Sequence, residues 1–277
     1  MRIGFVVPIL PLFGMLVACS SGPPSPKPGS PAFFWAVARE SYRTGDLAKT
    51  NATLLELSRN PNEFTARARV WQLVVSAGLS QGYSELADAY ESGATINLTS
   101  PQRFHTQATT LRSMAASAAL DFAQAVQETV ENNKDADILL AFMYPSGATA
   151  TPEGLDHISD GMWASDSEKD SVETAMLQRG VALAVERAVG QQGDRSKAVA
   201  VFQTPEVRIP RSTFLYGMAG LLYEESELFS PQRMDRPNKL VLMCREALDT
   251  LKSLPQTDQT AALAAKIQDT IKKYGGA

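Results

Sequence analysis

Cysteine and histidine are nearly missing from this chain, with two of each in 277 residues. Two cysteines, Cys19 and Cys244, exclude a fold stapled by a disulfide framework. Two histidines, His105 and His157, without a second His or Cys in ligand spacing, argue against a zinc site and a hydrolase triad. Gly-x-Ser-x-Gly, a phosphate-binding loop and a zinc-protease motif are absent too. The sequence therefore nominates no catalytic residue, no metal ligand set and no cofactor. Charge is only mildly biased: 26 Lys and Arg against 30 Asp and Glu give −4. That balance favours neither nucleic acid nor an anionic lipid surface as a partner. After residue 17 every apolar run is broken by charge within a few turns, which leaves no second candidate for a membrane span.

What is present starts at the N-terminus. Arg2 precedes an uncharged apolar run over residues 3–17 that contains Pro8 and Pro11 and ends in small residues. This is signal-peptide anatomy, too short to span a bilayer comfortably. Leu16-Val17-Ala18-Cys19 resembles the lipobox of bacterial lipoproteins. The resemblance implies a signal peptide over 1–18 and a mature N-terminus at Cys19 carrying palmitate-like acyl chains. With Ser20 rather than Asp next, it also implies the outer membrane, facing the periplasm. A plain secretory signal or a signal anchor that happens to contain Cys is the alternative. Residues 19–31 follow as a disordered tether. Five prolines among residues 20–31 preclude helix and central strand. At about 3.1 Å per residue the tether reaches roughly 35 Å.

Helix signals punctuate the rest. Ser30-Pro31 is an N-cap with proline at the first helical position, predicting a helix over 32–44 that Gly45 stops. Asp46 caps the next. A third helix is read from Asn62 to Gly78 and a fourth over 80–92, which makes two short antiparallel pairs. Ser100-Pro101 opens the longest helix, to about Asn132, with Phe104, Ala108, Leu111, Ala115 and Phe122 on one stripe. Residues 138–144 read as a buried helix or a short strand. An N-terminal helical half, 32–144, is thus joined by an irregular connecting loop, 145–170, to a C-terminal helical half, 171–277. Within the loop, Trp163 reads as partly packed and residues 165–170 as solvated and mobile. The second half predicts helices over 171–189, around Ala198, and over 212–229 and 237–254, with a last one from Thr257. Pro205 and Pro210 bound a connector. Cys244, inside an apolar helix stripe, reads as a buried, inert thiol. The fold class is all-α.

Helix pairs joined at Gly turns are similar to tetratricopeptide (TPR) repeats. Gly193, Ala198 and Phe202 match the second half of that consensus, and Trp35, Ala38 and Tyr42 the first, with Gly45 one residue early. No period of roughly 34 residues survives along the chain, so the body is TPR-like and solenoid-like rather than a regular array. Ser-Pro-Gln-Arg occurs at 100–103 and 230–233, by old duplication or by chance reuse. An anchored helical body is also similar in class to the T component of TRAP-type solute transport systems, with no residue motif to carry across.

Three groups of residues invite chemistry. Asp156, His157 and Asp160 offer imidazole and carboxylates, or simply a solvated loop. Glu224, Glu225 and Glu227, near Arg233, Asp235 and Arg236 and downstream of Arg208 and Arg211, are paired carboxylates of the kind acid–base work needs, or ion pairs fixing a loop. Trp35, Trp71 and Trp163 are candidate binding residues on a concave inner surface, or core. Two function classes follow. One is a membrane-anchored periplasmic interaction scaffold for an envelope protein, without catalytic activity. The other is a ligand-binding accessory lipoprotein of a transport system, enclosing a small molecule. A solvent-open groove favours the first; a closed apolar cavity favours the second.

Overall fold

The computed structural model describes residues 26–145, 153–163, 165–204 and 207–275. The signal segment, Cys19 and the tether up to residue 25 lie outside them. The described chain is all-α but for one pair of short strands.

α1 (Pro31–Thr44) begins as its sequence requires: the Ser30 side chain accepts the Phe33 N–H at 3.2 Å and Pro31 occupies the first turn. Gly45 ends it in the left-handed conformation, φ 84°, where glycine is least strained. Asp46 then accepts from the Lys49 N–H and starts α2 (Leu47–Ser58). The hairpin is locked inside by Thr50, whose hydroxyl meets Ser41 Oγ at 3.0 Å in the buried seam.

The next element corrects the sequence reading. Residues 65–96 form one unbroken helix, α3 (Thr65–Ile96), rather than a hairpin turning at Gly78. Gly78 does not stop the helix; it makes room for another. A Cβ there would lie 2.3 Å from the Val181 Cα, and one at Gly180 would lie 2.1 Å from the Gly78 carbonyl oxygen. α3 therefore meets α6 (Asp166–Ala188) backbone against backbone at this point. α4 (Pro101–Asn132) runs along α3, and its buried Ala108, Ala115, Ala119 and Ala123 keep that pair close as well.

The predicted loop over 145–170 is likewise more ordered than expected where it is described. The helical turn that Thr151-Pro152 signals around Leu155 and Ile158 is present as α5 (Glu153–Ser159), and α6 starts five residues earlier than predicted. Ser165 and Glu168 form a capping box there: Glu168 Oε2 accepts the Ser165 N–H at 2.8 Å. The acidic, Ser-containing stretch read as mobile loop is the exposed first turn of a helix, where acids suit the dipole. α7 (Arg195–Val201), α8 (Arg211–Ser226), a 3₁₀ turn (Glu227–Phe229), α9 (Pro237–Lys252) and α10 (Asp258–Tyr274) complete the helices.

Residues 138–140 resolve as strand. β1 (Asp137–Leu140) pairs antiparallel with β2 (Val207–Pro210), Leu139 opposite Arg208. The expected connector before Pro210 is thus partly a strand, and its Val-Arg-Ile-Pro alternates buried and exposed with the period of two that defines one. One continuous cluster of buried side chains runs from Ala38 to Ile267. Cys244 sits in it as a free, fully buried thiol 3.4 Å from Ser226 Oγ, and burial raises its pKa. Among the described residues no helix is long and apolar enough to cross a membrane.

Gly180→Ala tests the crossing. A methyl group has nowhere to go without separating α3 from α6, so the substitution is expected to cost about 1–3 kcal/mol, as overpacking does. Urea unfolding with an unchanged midpoint would show the two backbones are not in contact.

Candidate functional site

Two of the three tryptophans come together. Trp35 on α1 and Trp71 on α3 meet edge to face at 5.4 Å between ring centroids, and Trp35 stacks on Phe64 at 5.2 Å. Trp71 stacks in turn on Phe142 at 5.8 Å, and Phe142 reaches Phe202, just after α7, at 6.0 Å. Aromatic rings thus run from the N-terminal hairpin, past the end of β1, to the segment that follows α7. Trp163 is not among them. It packs on Tyr90 and Phe104 beneath the Arg103 guanidinium, 3.7 Å from the ring centre. Tyr90 is 19 residues from Trp71 on the same helix, about 28 Å along its axis.

Between α1, the start of α3 and the β1 strand lies a cleft of about 540 Å³, open to solvent. That volume is within the roughly 300–1,000 Å³ usual for ligand sites. Its base is aromatic: Trp71 is 1% exposed and Phe142 is buried. Its rim is cationic, with Arg39, Arg43 and Arg67 all exposed. Arg43 is held by Glu40, with Nε 2.9 Å from a carboxylate oxygen. Arg39 and Arg67 have no ion-pair partner among the described residues. The end of the cleft is fixed by Tyr42, whose hydroxyl donates to the Met143 carbonyl at 2.9 Å. Burial pushes the Tyr42 hydroxyl far above its ordinary range, which keeps it a donor. The Trp71 indole Nε1–H is buried and has no hydrogen-bond partner among the described residues. Such an orphan costs about 1–3 kcal/mol.

Composition hinted at the tryptophans but not at Phe142, Arg39 or Arg67. Spacing was the available signal: Trp35, Arg39, Tyr42 and Arg43 follow the three- and four-residue steps of one helical face.

The carboxylates near residue 225 are drawn into a second, polar cavity of about 200 Å³ between α3 and α8. Most are already matched. Arg179 meets Glu85 at 2.8 Å, Arg233 meets Asp88 at 2.6 Å and Ser84 at 2.9 Å, and Arg187 pairs with Glu224. Arg211 instead donates to the Asn133 carbonyl at the end of α4, 3.0 Å away. Glu225 differs. Both its oxygens are sealed from solvent and, among the described residues, neither accepts a hydrogen bond of good geometry, although Ser80 lines the same cavity. Burial raises its pKa well above the ordinary 4.5, and the neighbouring Glu224 charge adds to this. Asp156 and His157 are exposed on α5, and among the described residues no three His, Cys, Asp or Glu are grouped to hold a metal.

Comparison of the chain with protein-family models, with curated proteins and with solved structures finds no match. The site is therefore read from its own geometry.

A protonation test separates Glu225 from the matched acids. The native state holds the Glu225 proton more tightly than the unfolded chain does. Its stabilising contribution is full below about pH 4.5 and is lost as pH rises through the raised native value. Glu225→Gln keeps the neutral shape without that loss. The thermal midpoint of the variant, relative to the parent, should rise between about pH 4 and pH 8; a constant difference would show that Glu225 is not a buried acid.

Proposed function

We propose that this chain is a lipid-anchored binding protein of the bacterial envelope that docks a partner protein in the aromatic cleft, without chemistry of its own. The lipobox-like Leu16-Val17-Ala18-Cys19 supports an acylated Cys19, and Ser20 supports the outer membrane, facing the periplasm. The observation that carries the docking reading is the cleft itself, an open aromatic trough beneath exposed guanidinium groups. Aromatic anchors with arginine at their edge are what protein interfaces enrich. An accessory role in solute transport, the alternative, is favoured by the cleft's volume. Its open mouth favours the larger partner. The hairpins α1–α2 and α9–α10 support a TPR-like reading of the two ends of the body, with the long α3–α4 pair between them outside any such repeat.

Two measurements test this. Metabolic labelling with palmitate should mark the chain and fail on Cys19→Ser; equal labelling would remove the anchor from the reading. For docking, a photo-crosslinking residue at position 39 or 67 in the full chain should capture a discrete protein adduct in intact envelopes. The same residue at Leu98, 90% exposed beyond the end of α3, serves as the reference. Equal adducts from all three positions would overturn the cleft as the docking site.

A further inference from the structure

One wall of the cleft is the edge of a sheet, and we propose that this edge takes an extended acidic segment of a partner protein as a third strand. The proposal rests on the cleft being the docking site and adds the mode of binding and the chemistry of the partner.

The hydrogen-bond register exposes the edge. The Arg211 N–H donates to the Ala136 carbonyl at 2.8 Å, which continues the β1–β2 register one pair beyond Asp137 and Pro210. Bonded and non-bonded pairs alternate in an antiparallel ladder. Ile138–Ile209 and Leu140–Val207 are therefore bonded pairs, while Asp137 and Leu139 turn their N–H and C=O groups to the opposite side. Pro210 agrees: it lacks an N–H and falls at a non-bonded pair, where none is needed. Leu139 has no hydrogen-bond partner on that side among the described residues.

The free side faces the cleft. Residues 139–143 line it consecutively, so Leu139, with its N–H and C=O turned away from β2, borders the cleft; Phe202, Gln203 and Thr204, leading into β2, close its other end. A two-stranded sheet is marginal alone, and a third strand satisfies the open backbone groups. Charge selects the occupant. The chain as a whole is acidic, yet among the described residues no carboxylate pairs with Arg39 or Arg67 over the cleft. An extended segment with Glu or Asp alternating with apolar side chains meets all of these: backbone to β1, carboxylates to the rim, apolar groups to the rings.

The test uses the full chain and synthetic probes read by fluorescence anisotropy. The probe is a fluorescein-labelled decapeptide in which Glu alternates with Val and one central Val is replaced by Trp. It should bind at least about tenfold tighter than the same peptide with Lys for Glu. Arg39→Glu with Arg67→Glu, both at exposed positions, should reverse that order. Two further peptides carry N-methyl groups on alternate amides, one on each edge of the strand. Only one of them should lose binding, by about tenfold or more, because only one edge can face β1. Failure of the acidic peptide to bind, or equal binding of the Lys peptide, overturns the proposal. Loss from both methylated peptides, or from neither, overturns strand addition. In that case crosslinking at positions 39 and 67 still decides docking independently.

Discussion

The rest of the structure depends on α3 and α6 touching backbone to backbone at Gly78 and Gly180. Side chains at a helix crossing usually hold the axes about 8–10 Å apart, and removing both at one point lets the helices approach more closely. Dispersion falls off steeply with even a small gap, so the close approach gains contact along both flanks. It also places the second half of the chain. With α6 fixed across the middle of α3, α8 packs beside both and β2, immediately before α8, lies where β1 can reach it. The strand pair is therefore a consequence of helix packing. Four residues a side would not hold on their own.

The cleft inherits its shape from that arrangement. Its floor belongs to α3, one wall to α1 and the other to β1, and these are tied by few polar links. The Tyr42–Met143 hydrogen bond joins α1 directly to the chain beyond β1. A net gain of about 0.5–1.5 kcal/mol from such a bond is small beside ring burial, but it fixes the cleft's width at one end. The aromatic contacts from Phe64 to Phe202 supply the rest, the rings meeting edge to face or stacked and, between Phe142 and Phe202, tilted at 35°.

Local chemistry was legible in the sequence wherever local chemistry decided. Ser30-Pro31, Gly45 and Asp46 act as read, and the buried, unpaired Cys244 follows from its helix stripe. The misreadings share one cause. Gly78 has the same side chain whether it stops a helix or admits a neighbour, and only Gly180, about a hundred residues away, decides. Ser165 to Asp170 looked like a loop because acids and serine are common to loops and first turns alike. β2 was hidden because Pro205 stands two residues before its four-residue alternation and Pro210 closes it. In the cleft, Trp35 and Trp71 were visible as candidates; Phe142, Arg39 and Arg67 were not, because they gather only once β1 lies beside α1. Trp163 belongs elsewhere for the same reason, nineteen residues up α3 from Trp71 at its Tyr90 contact.

The two concavities show why charge count alone says little about role. In the cavity around Glu225, guanidinium groups and carboxylates largely cancel in pairs, and such pairs fix α3, α6 and α8 relative to one another. In the cleft the guanidinium groups of Arg39 and Arg67 have no counter-charge among the described residues, although the chain carries an excess of acids. Exposed cations cost little in water, so this arrangement is cheap to maintain. The buried Trp71 N–H is not cheap, and its unmet hydrogen bond lowers the stability of the free protein. On the docking reading, an acidic occupant of the cleft would supply the counter-charges that Arg39 and Arg67 lack among the described residues. On the lipobox reading the same α1 that carries Trp35 and Arg39 follows the tether directly, so an occupant held there stays within a few tens of ångströms of the membrane.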